Sequence, residues 1–284
     1  MLGRDVVEAC ALRGHDVYPA GHAELDVTDG EACEEVMAEV RPKAVINCAA
    51  WTDVDGAEEH EDEAMLVNDT GAGLLAAAAA KQGAKVIYVS SDYVFNGRQQ
   101  RPYVESDLTE PISAYGRSKQ AGETSTAAAN PFHLIVRSSW LYGVHGHNFV
   151  ETMLRLGREQ PEVIVVSDQV GTPTYTRHLA PALAELAEGE EWGIHHVAAA
   201  GRCSWFDFAQ EIFDQAGSEC RVMAGTTEML GRPAPRPAFS VLASEREAIR
   251  PLPDWREGLR EYLRERRSAG DRTAPGREAE EAGR

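Results

Sequence analysis

Short apolar runs alternate along the chain with longer stretches in which apolar residues recur every three or four positions. The short runs, at 15–20, 44–50, 85–91, 133–140, 163–167 and 194–198, predict strands. The longer stretches, at 4–13, 29–40, 63–82, 113–128, 148–159, 177–188, 204–216 and 254–266, predict helices. Strand and helix in alternation with short connections point to βαβ units. The fold class expected is therefore α/β, a Rossmann-type parallel sheet with helices on both faces. Beyond Trp140 the rhythm loosens into Gly, His and Pro turns, which predicts a smaller α/β lobe. The organisation expected is a cofactor domain over 1–143, a lobe over 144–265 with some segments returning to the first domain, and a disordered tail over 266–284, where apolar periodicity ends.

The opening of the chain departs from this pattern. A sheet of this type begins with a strand and a glycine-rich turn, whereas here Met1-Leu2-Gly3 runs straight into a helix with Val6, Val7, Cys10 and Ala11 on one side. In a dinucleotide-binding turn the last glycine permits close helix–strand packing, and Gly3 can fill only that position. The expectation is that the first strand and half of the glycine turn are missing and that translation starts upstream. Deleting a central strand would leave two unpaired edges.

Charge narrows the function classes. With 28 Lys and Arg against 46 Asp and Glu, the net charge is −18, a field that repels nucleic acid and anionic membrane. Any anionic ligand must be met by local basic groups. Apolar residues at 43% and charged residues at 26% fit a packed globular core. No apolar run approaches bilayer length and the N-terminus lacks a signal-peptide core, so a cytoplasmic location is expected. Five cysteines without CxxC pairing read as small buried hydrophobes of a reducing compartment.

The sharpest chemical signal is Tyr115-Gly116-Arg117-Ser118-Lys119, a YxxxK inside a helical pattern, preceded by Ser90-Ser91 at the end of a strand. Spacing of four puts Tyr115 and Lys119 on one helix face. A neighbouring ammonium favours the phenolate and lowers the tyrosine pKa, making Tyr115 a proton donor to a carbonyl that Ser91 could hold.

Several further strings occur in order: LDVTD (25–29), VINCAAWTDVDGAE (45–58), VN (67–68), VSSDYVFNG (89–97), EPISAYGRSKQAGE (110–123), VRSSWLYG (136–143), SDQVGTPTYT (167–176) and RPAPRPAFSVL (232–242). Through them the chain resembles the extended short-chain dehydrogenase/reductases, and within these the dTDP-4-dehydrorhamnose reductase family, over residues 1–262. The resemblance implies hydride transfer from NADPH or NADH to the 4-keto group of dTDP-4-dehydro-L-rhamnose. It further implies Tyr115 as proton donor, Lys119 on the ribose, and Ser91 beside the ketone. Gly3, Asp26, Val27, Ala50, Trp51, Thr52 and Asn68 would bind the cofactor together with Tyr115 and Lys119. Ser91, Asp92, Tyr93 and Trp140 would meet the sugar, and Arg232 the diphosphate, as an acidic protein requires.

No carboxylate ends the second expected strand at Ala20-Gly21-His22, and His22 is either a phosphate acceptor or an exposed loop residue, which leans towards NADPH. His145-Gly146-His147 and His195-His196 lack metal-site spacing, so no metal is assigned; a magnesium ion stays open without a motif. The acidic stretch at Glu58, Glu59, Glu61, Asp62 and Glu63 reads as a solvated helix N-terminus. A homodimer is compatible with the family. Two other functions compete: a reductase or epimerase on another nucleotide sugar, and a noncatalytic protein like the regulatory subunit of methionine adenosyltransferase.

Overall fold

The computed structural model describes residues 1–246 and 251–273, the side chains of 269–273 excepted. In chain order come α1 (Leu2–Leu12), α2 (Gly30–Val40), β1 (Ala44–Asn47), α3 (Gly56–Glu59), α4 (Glu61–Met65), a π-helical turn (Leu66–Gly71), α5 (Ala72–Lys81) and β2 (Lys85–Ser91). Then follow a 3-10 turn (Asp92–Val94), α6 (Ala114–Ala129), β3 (His133–Ser138), β4 (Leu141–Tyr142), α7 (Phe149–Glu159), β5 (Glu162–Val166), β6 (Val170–Gly171) and β7 (Thr174–Tyr175). The last group is α8 (Thr176–Glu188), β8 (Gly193–His196), β9 (Ala199–Ala200), β10 (Cys203–Ser204), α9 (Trp205–Ala216), β11 (Arg221–Gly225), α10 (Thr227–Leu230), β12 (Leu252–Asp254) and α11 (Trp255–Thr273).

The central sheet is parallel, with strand order β1-β2-β3-β8. Its middle strand β2, KVIYVSS, has almost no exposed residue, as a strand covered on both faces requires. On one face Ile87, Leu134 and Val136 pack with Leu2 and Val6 of α1 and Leu179, Leu183 and Leu186 of α8. On the other, Val86 meets Ala76 and Ala79 of α5, and Tyr88 and Ile135 meet Ala72. The small side chains of α5 bring the helix close to the sheet. A second core, rich in aromatics, joins Tyr142, Met153, Phe208, Ile212, Phe213, Trp255 and Tyr262 between α7, α9 and α11. Short strand pairs, β5 with β11 and β6 with β10 among them, frame it.

Three expectations are corrected. Residues 15–20 form no strand, because β1 ends the sheet and no described strand stands beside them to share a ladder; all but Val17 are exposed. The single helix expected over 63–82 is broken by the π-helical turn, whose extra residue turns the fully buried Asn68 inward. The tail expected from 266 is helical to Thr273, since α11 continues. Arg266 pairs with both oxygens of Glu151 and Arg267 donates to the Gln215 carbonyl. Residues 274–284 lie outside the described residues. No helix among the described residues is long and apolar enough to cross a membrane.

Candidate active site

Parallel sheets place their ligand crevice beyond the carboxyl ends of the strands. At that edge β2 ends in Ser90-Ser91, with Ser91 in register with Ser138 of β3. The Ser91 hydroxyl caps the following 3-10 turn, accepting from the Tyr93 amide at 3.2 Å and donating to Asp92 Oδ1 at 3.1 Å. Helix α6 brings in the YxxxK pair. Its N-terminus is held twice, by the Ser113 hydroxyl accepting from the Gly116 amide at 3.1 Å and by Glu58 accepting from the Ala114 amide at 2.8 Å. Gly116 lets the helix approach, since a Cβ there would lie 2.3 Å from the Tyr93 carbonyl oxygen.

This approach brings the Tyr115 hydroxyl within electrostatic reach of Ser91, and sets the Tyr115 ring edge-on to Tyr93 with centroids 5.7 Å apart. Trp51 and Tyr115 pack on the same three alanines, Ala57, Ala64 and Ala114. One helical turn on, the buried Lys119 lays its Nζ 4.0 Å from the centre of the Tyr88 ring. The Tyr88 hydroxyl in turn donates to the Asn68 carbonyl at 2.8 Å.

The electrostatics differ from the expectation. Burial pushes Tyr115 up to about 12, partly offset by Ser91, while the Asp92 carboxyl nearby raises it further. Burial also lowers Lys119 to about 7, against the pull of Glu123 and Cys48. The ammonium faces an aromatic ring, and desolvation outweighs the assistance to the phenolate that sequence spacing suggested. Asp92 is 2% exposed, its Oδ2 has no hydrogen-bond partner, and burial raises it to about 7 against bonds from Ser240 and Ser91. The crevice thus holds two groups that keep a proton near neutral pH.

The expected cofactor residues lie on α1 (Gly3), ahead of α2 (Asp26, Val27), after β1 (Ala50, Trp51, Thr52) and in the π-helical turn (Asn68), with Tyr115 and Lys119 on α6. The first turn of α1 abuts the end of β1, where a Cβ on Gly3 would lie 3.6 Å from Cys48 Cβ. Asp26 accepts from the Thr28 amide and hydroxyl at 2.9 and 2.7 Å, bonds that lower its pKa. Val27 is buried in a small core with Cys33, Met37 and Leu75. Ala50 is partly buried, Thr52 exposed. Asn68 spends its amide on the Trp51 backbone and on Ser118, bonded at 2.9 Å, and so shapes this stretch from behind. His22 is exposed, and Glu24, two residues on, accepts from the Gly21 amide at 2.9 Å. The site fits a nicotinamide dinucleotide in its helix N-terminus, its buried Lys119 and the Tyr115 hydroxyl.

Between β3 and β4, Trp140 adopts a left-handed backbone, φ 46°, and stacks on Trp205 with centroids 3.6 Å apart and planes 5° from parallel. Gly171 makes room for that indole, since a Cβ there would lie 2.4 Å from it. Arg232 is largely exposed and reaches Asp55 at 3.4 Å. Arg236, four residues later and only 11% exposed, forms two 2.9 Å bonds to Asp55 and a third, at 3.0 Å, to the Ala234 carbonyl.

Arg236, Asp55 and Ser240 escaped sequence reasoning, and Trp205, read from its helical spacing as core, packs against the aromatic core and also stacks on Trp140. Arg236 stands in the same RPAPRP string as Arg232, but the burial that separates the two has no local signature. The acidic stretch is also more specific than expected: Glu58 caps α6 and Glu61 binds Arg117 through both oxygens. Among the described residues no three His, Cys, Asp or Glu side chains gather as a metal site.

The RmlD substrate binding domain family matches residues 1–268. A dTDP-4-dehydrorhamnose reductase from Mycolicibacterium smegmatis is 42% identical over 270 residues, covering 93% of this chain and 82% of the relative. A probable dTDP-4,6-dihydroxy-2-methyloxan-3-one 4-ketoreductase from Streptomyces antibioticus is 42% identical over 269 residues, covering 92% and 90%. The crystal structure of dTDP-4-dehydrorhamnose reductase from Bacillus anthracis in complex with NADP superposes with a TM-score of 0.91 at 40% identity, covering 93% of this chain and 95% of that one. The chain belongs to the dTDP-4-dehydrorhamnose reductase family, oxidoreductases built on a Rossmann-type sheet.

Proposed function

We propose that this protein reduces the 4-keto group of dTDP-4-dehydro-L-rhamnose to the alcohol of dTDP-L-rhamnose, with NADPH as reductant. The observation that carries this reading is the placement of Tyr115 next to Ser91 at the carboxyl end of the central strand, with Lys119 one turn further along α6. NADPH, when bound, supplies the hydride that goes to the carbonyl carbon. Tyr115 gives its hydroxyl proton to the carbonyl oxygen, and its high pKa keeps that proton in place until negative charge develops there. Ser91 holds the same oxygen by a hydrogen bond. Lys119 binds the cofactor ribose, and the first turn of α1, with Asp26, Val27, Ala50, Trp51 and Thr52, forms the rest of the cofactor wall. Asn68 acts through Trp51.

Residues 1–143 serve mainly the cofactor and 144–265 mainly the sugar, with Asp92, Tyr93 and Trp140 around the hexose. Arg232, exposed and loosely paired, remains able to turn to the diphosphate, whereas Arg236 is committed to Asp55. The relative with bound NADP supports the choice of NADPH.

A second dTDP-sugar as substrate is favoured by one finding: the Streptomyces antibioticus relative, as similar as the Mycolicibacterium one, is named for a different ketone. Turnover with a panel of dTDP-keto sugars decides between them. Preference for dTDP-4-dehydro-L-rhamnose supports the proposal; preference for another ketone replaces the substrate; binding without turnover favours a noncatalytic role.

A further inference from the structure

We infer that Glu123 is a positioning residue for the reaction, tying the helix that carries Tyr115 and Lys119 to the strand that carries Ser91; this rests on the assignment of those three residues. Glu123 lies one turn beyond Lys119 on α6 and is 7% exposed. Its Oε1 accepts from the Ser90 hydroxyl at 2.5 Å and from Arg137 Nε at 2.8 Å, and its Oε2 accepts from Arg137 Nη2 at 2.6 Å. Ser90 and Arg137 are direct partners across β2 and β3, and the next pair in that register is Ser91 with Ser138. One carboxylate therefore grips a cross-strand pair immediately before the strand position of Ser91.

The grip is buried throughout, Ser90 being 5% and Arg137 2% exposed. Arg137 is fixed on its other sides by the Phe95 ring, 5.2 Å from its guanidinium carbon, and by His196 Nε2 at 3.4 Å. Beside Glu123, Gly122 brings the helix backbone against Asn68 and Tyr88, where a Cβ would lie 2.0 Å from the Asn68 carbonyl oxygen. A buried ion pair of this kind contributes little net stability, because desolvation cancels much of its attraction. What it supplies is direction: three hydrogen bonds from two strands to one helix leave little freedom in the distance between Ser91 and the YxxxK face. Misplacement of reacting groups by about 1 Å costs up to ~100-fold in rate.

The test compares Ser90→Ala, Glu123→Gln, the paired exchange Glu123→Leu with Arg137→Met, and Tyr115→Phe, each measured for kcat, KM for the keto sugar, NADPH affinity and melting temperature. Ser90→Ala removes one bond and keeps the ion pair, and the paired exchange removes the charges together, so both are expected to fold. The inference predicts that kcat falls about tenfold in both while KM and NADPH affinity stay within about twofold. Wild-type kcat in folded Ser90→Ala and in the folded exchange would overturn it, with Tyr115→Phe still inactive. Full turnover in Tyr115→Phe would instead overturn the assignment of the site, and this inference with it.

Discussion

Asn68 and Trp51 clasp one another at two points: Asn68 Oδ1 accepts from the Trp51 amide at 2.8 Å, and Asn68 Nδ2 donates to the Trp51 carbonyl at 3.1 Å. The π-helical turn delivers the asparagine to this place, and its second donor goes to Ser118 on α6. Asn68→Ala would leave the partly buried Trp51 amide unpaired. The expected loss is about 2–3 kcal/mol in stability, with weakened NADPH affinity. Chemical denaturation and a fluorescence titration with NADPH check both; unchanged affinity would show that the clasp does not shape the cofactor wall.

Gly122 meets backbone and a buried phenol rather than a yielding side-chain tip. Its missing Cβ would stand 2.0 Å from the Asn68 carbonyl oxygen and 2.4 Å from the Tyr88 hydroxyl. Gly122→Ala is expected to lower stability by at least about 2 kcal/mol and to reduce turnover by displacing α6, although alanine is the better helix former. A melting temperature equal to that of the wild type would contradict this packing.

Much of this arrangement was legible in the chain and some of it was not, for physical reasons. The strand 85–91 and the helix bearing YxxxK were visible because a short apolar run and a longer helical pattern are local signals. The pairing of Ser91 with Tyr115 was suggested by a serine at the end of a strand and a YxxxK in the helical pattern that follows it. The interruption of 63–82 was hidden, because a π-helical turn leaves the composition of a helix unchanged. Arg236 was hidden behind Arg232, because only tertiary packing determines which of two similar arginines is buried. The fate of 15–20 depended on whether a neighbouring strand exists, which no local pattern reports.

Asp92 makes the site sensitive to pH. Burial raises its carboxyl from an ordinary 3.8 to about 7. Between those values the folded state holds a proton that the unfolded state has released, so stability is lost as pH rises from about 4 to 7. The loss is at most ~4 kcal/mol. Asp92→Asn keeps an oxygen for Ser91 and Ser240 but does not ionise. Its stability relative to the wild type should therefore improve between pH 5 and pH 8. Parallel denaturation curves at the two pH values check this, and a constant difference between the two proteins would contradict it.

Asp55 bridges the segment after β1 to the strap that carries Arg232 and Arg236. Its carboxyl is held below the ordinary range first by Arg236, with a smaller contribution from Arg232. Asp55→Asn should free the strap and raise KM for the dTDP-sugar about tenfold to 100-fold, as expected for a charged hydrogen-bond pair. NADPH affinity should be nearly unchanged. Steady-state kinetics with the sugar varied would reveal it; a selective loss of NADPH affinity would place Asp55 on the cofactor side instead.

The central claim is that Tyr115 supplies the proton for reduction of a nucleotide-linked ketone. The most direct measurement is the initial rate of NADPH oxidation with dTDP-4-dehydro-L-rhamnose, for the wild type and for Tyr115→Phe, with the product identified. The account predicts turnover to dTDP-L-rhamnose by the wild type and a loss of about 100-fold or more in the variant, with NADPH affinity retained. No NADPH consumption by the wild type, or equal rates in the two proteins, would contradict it.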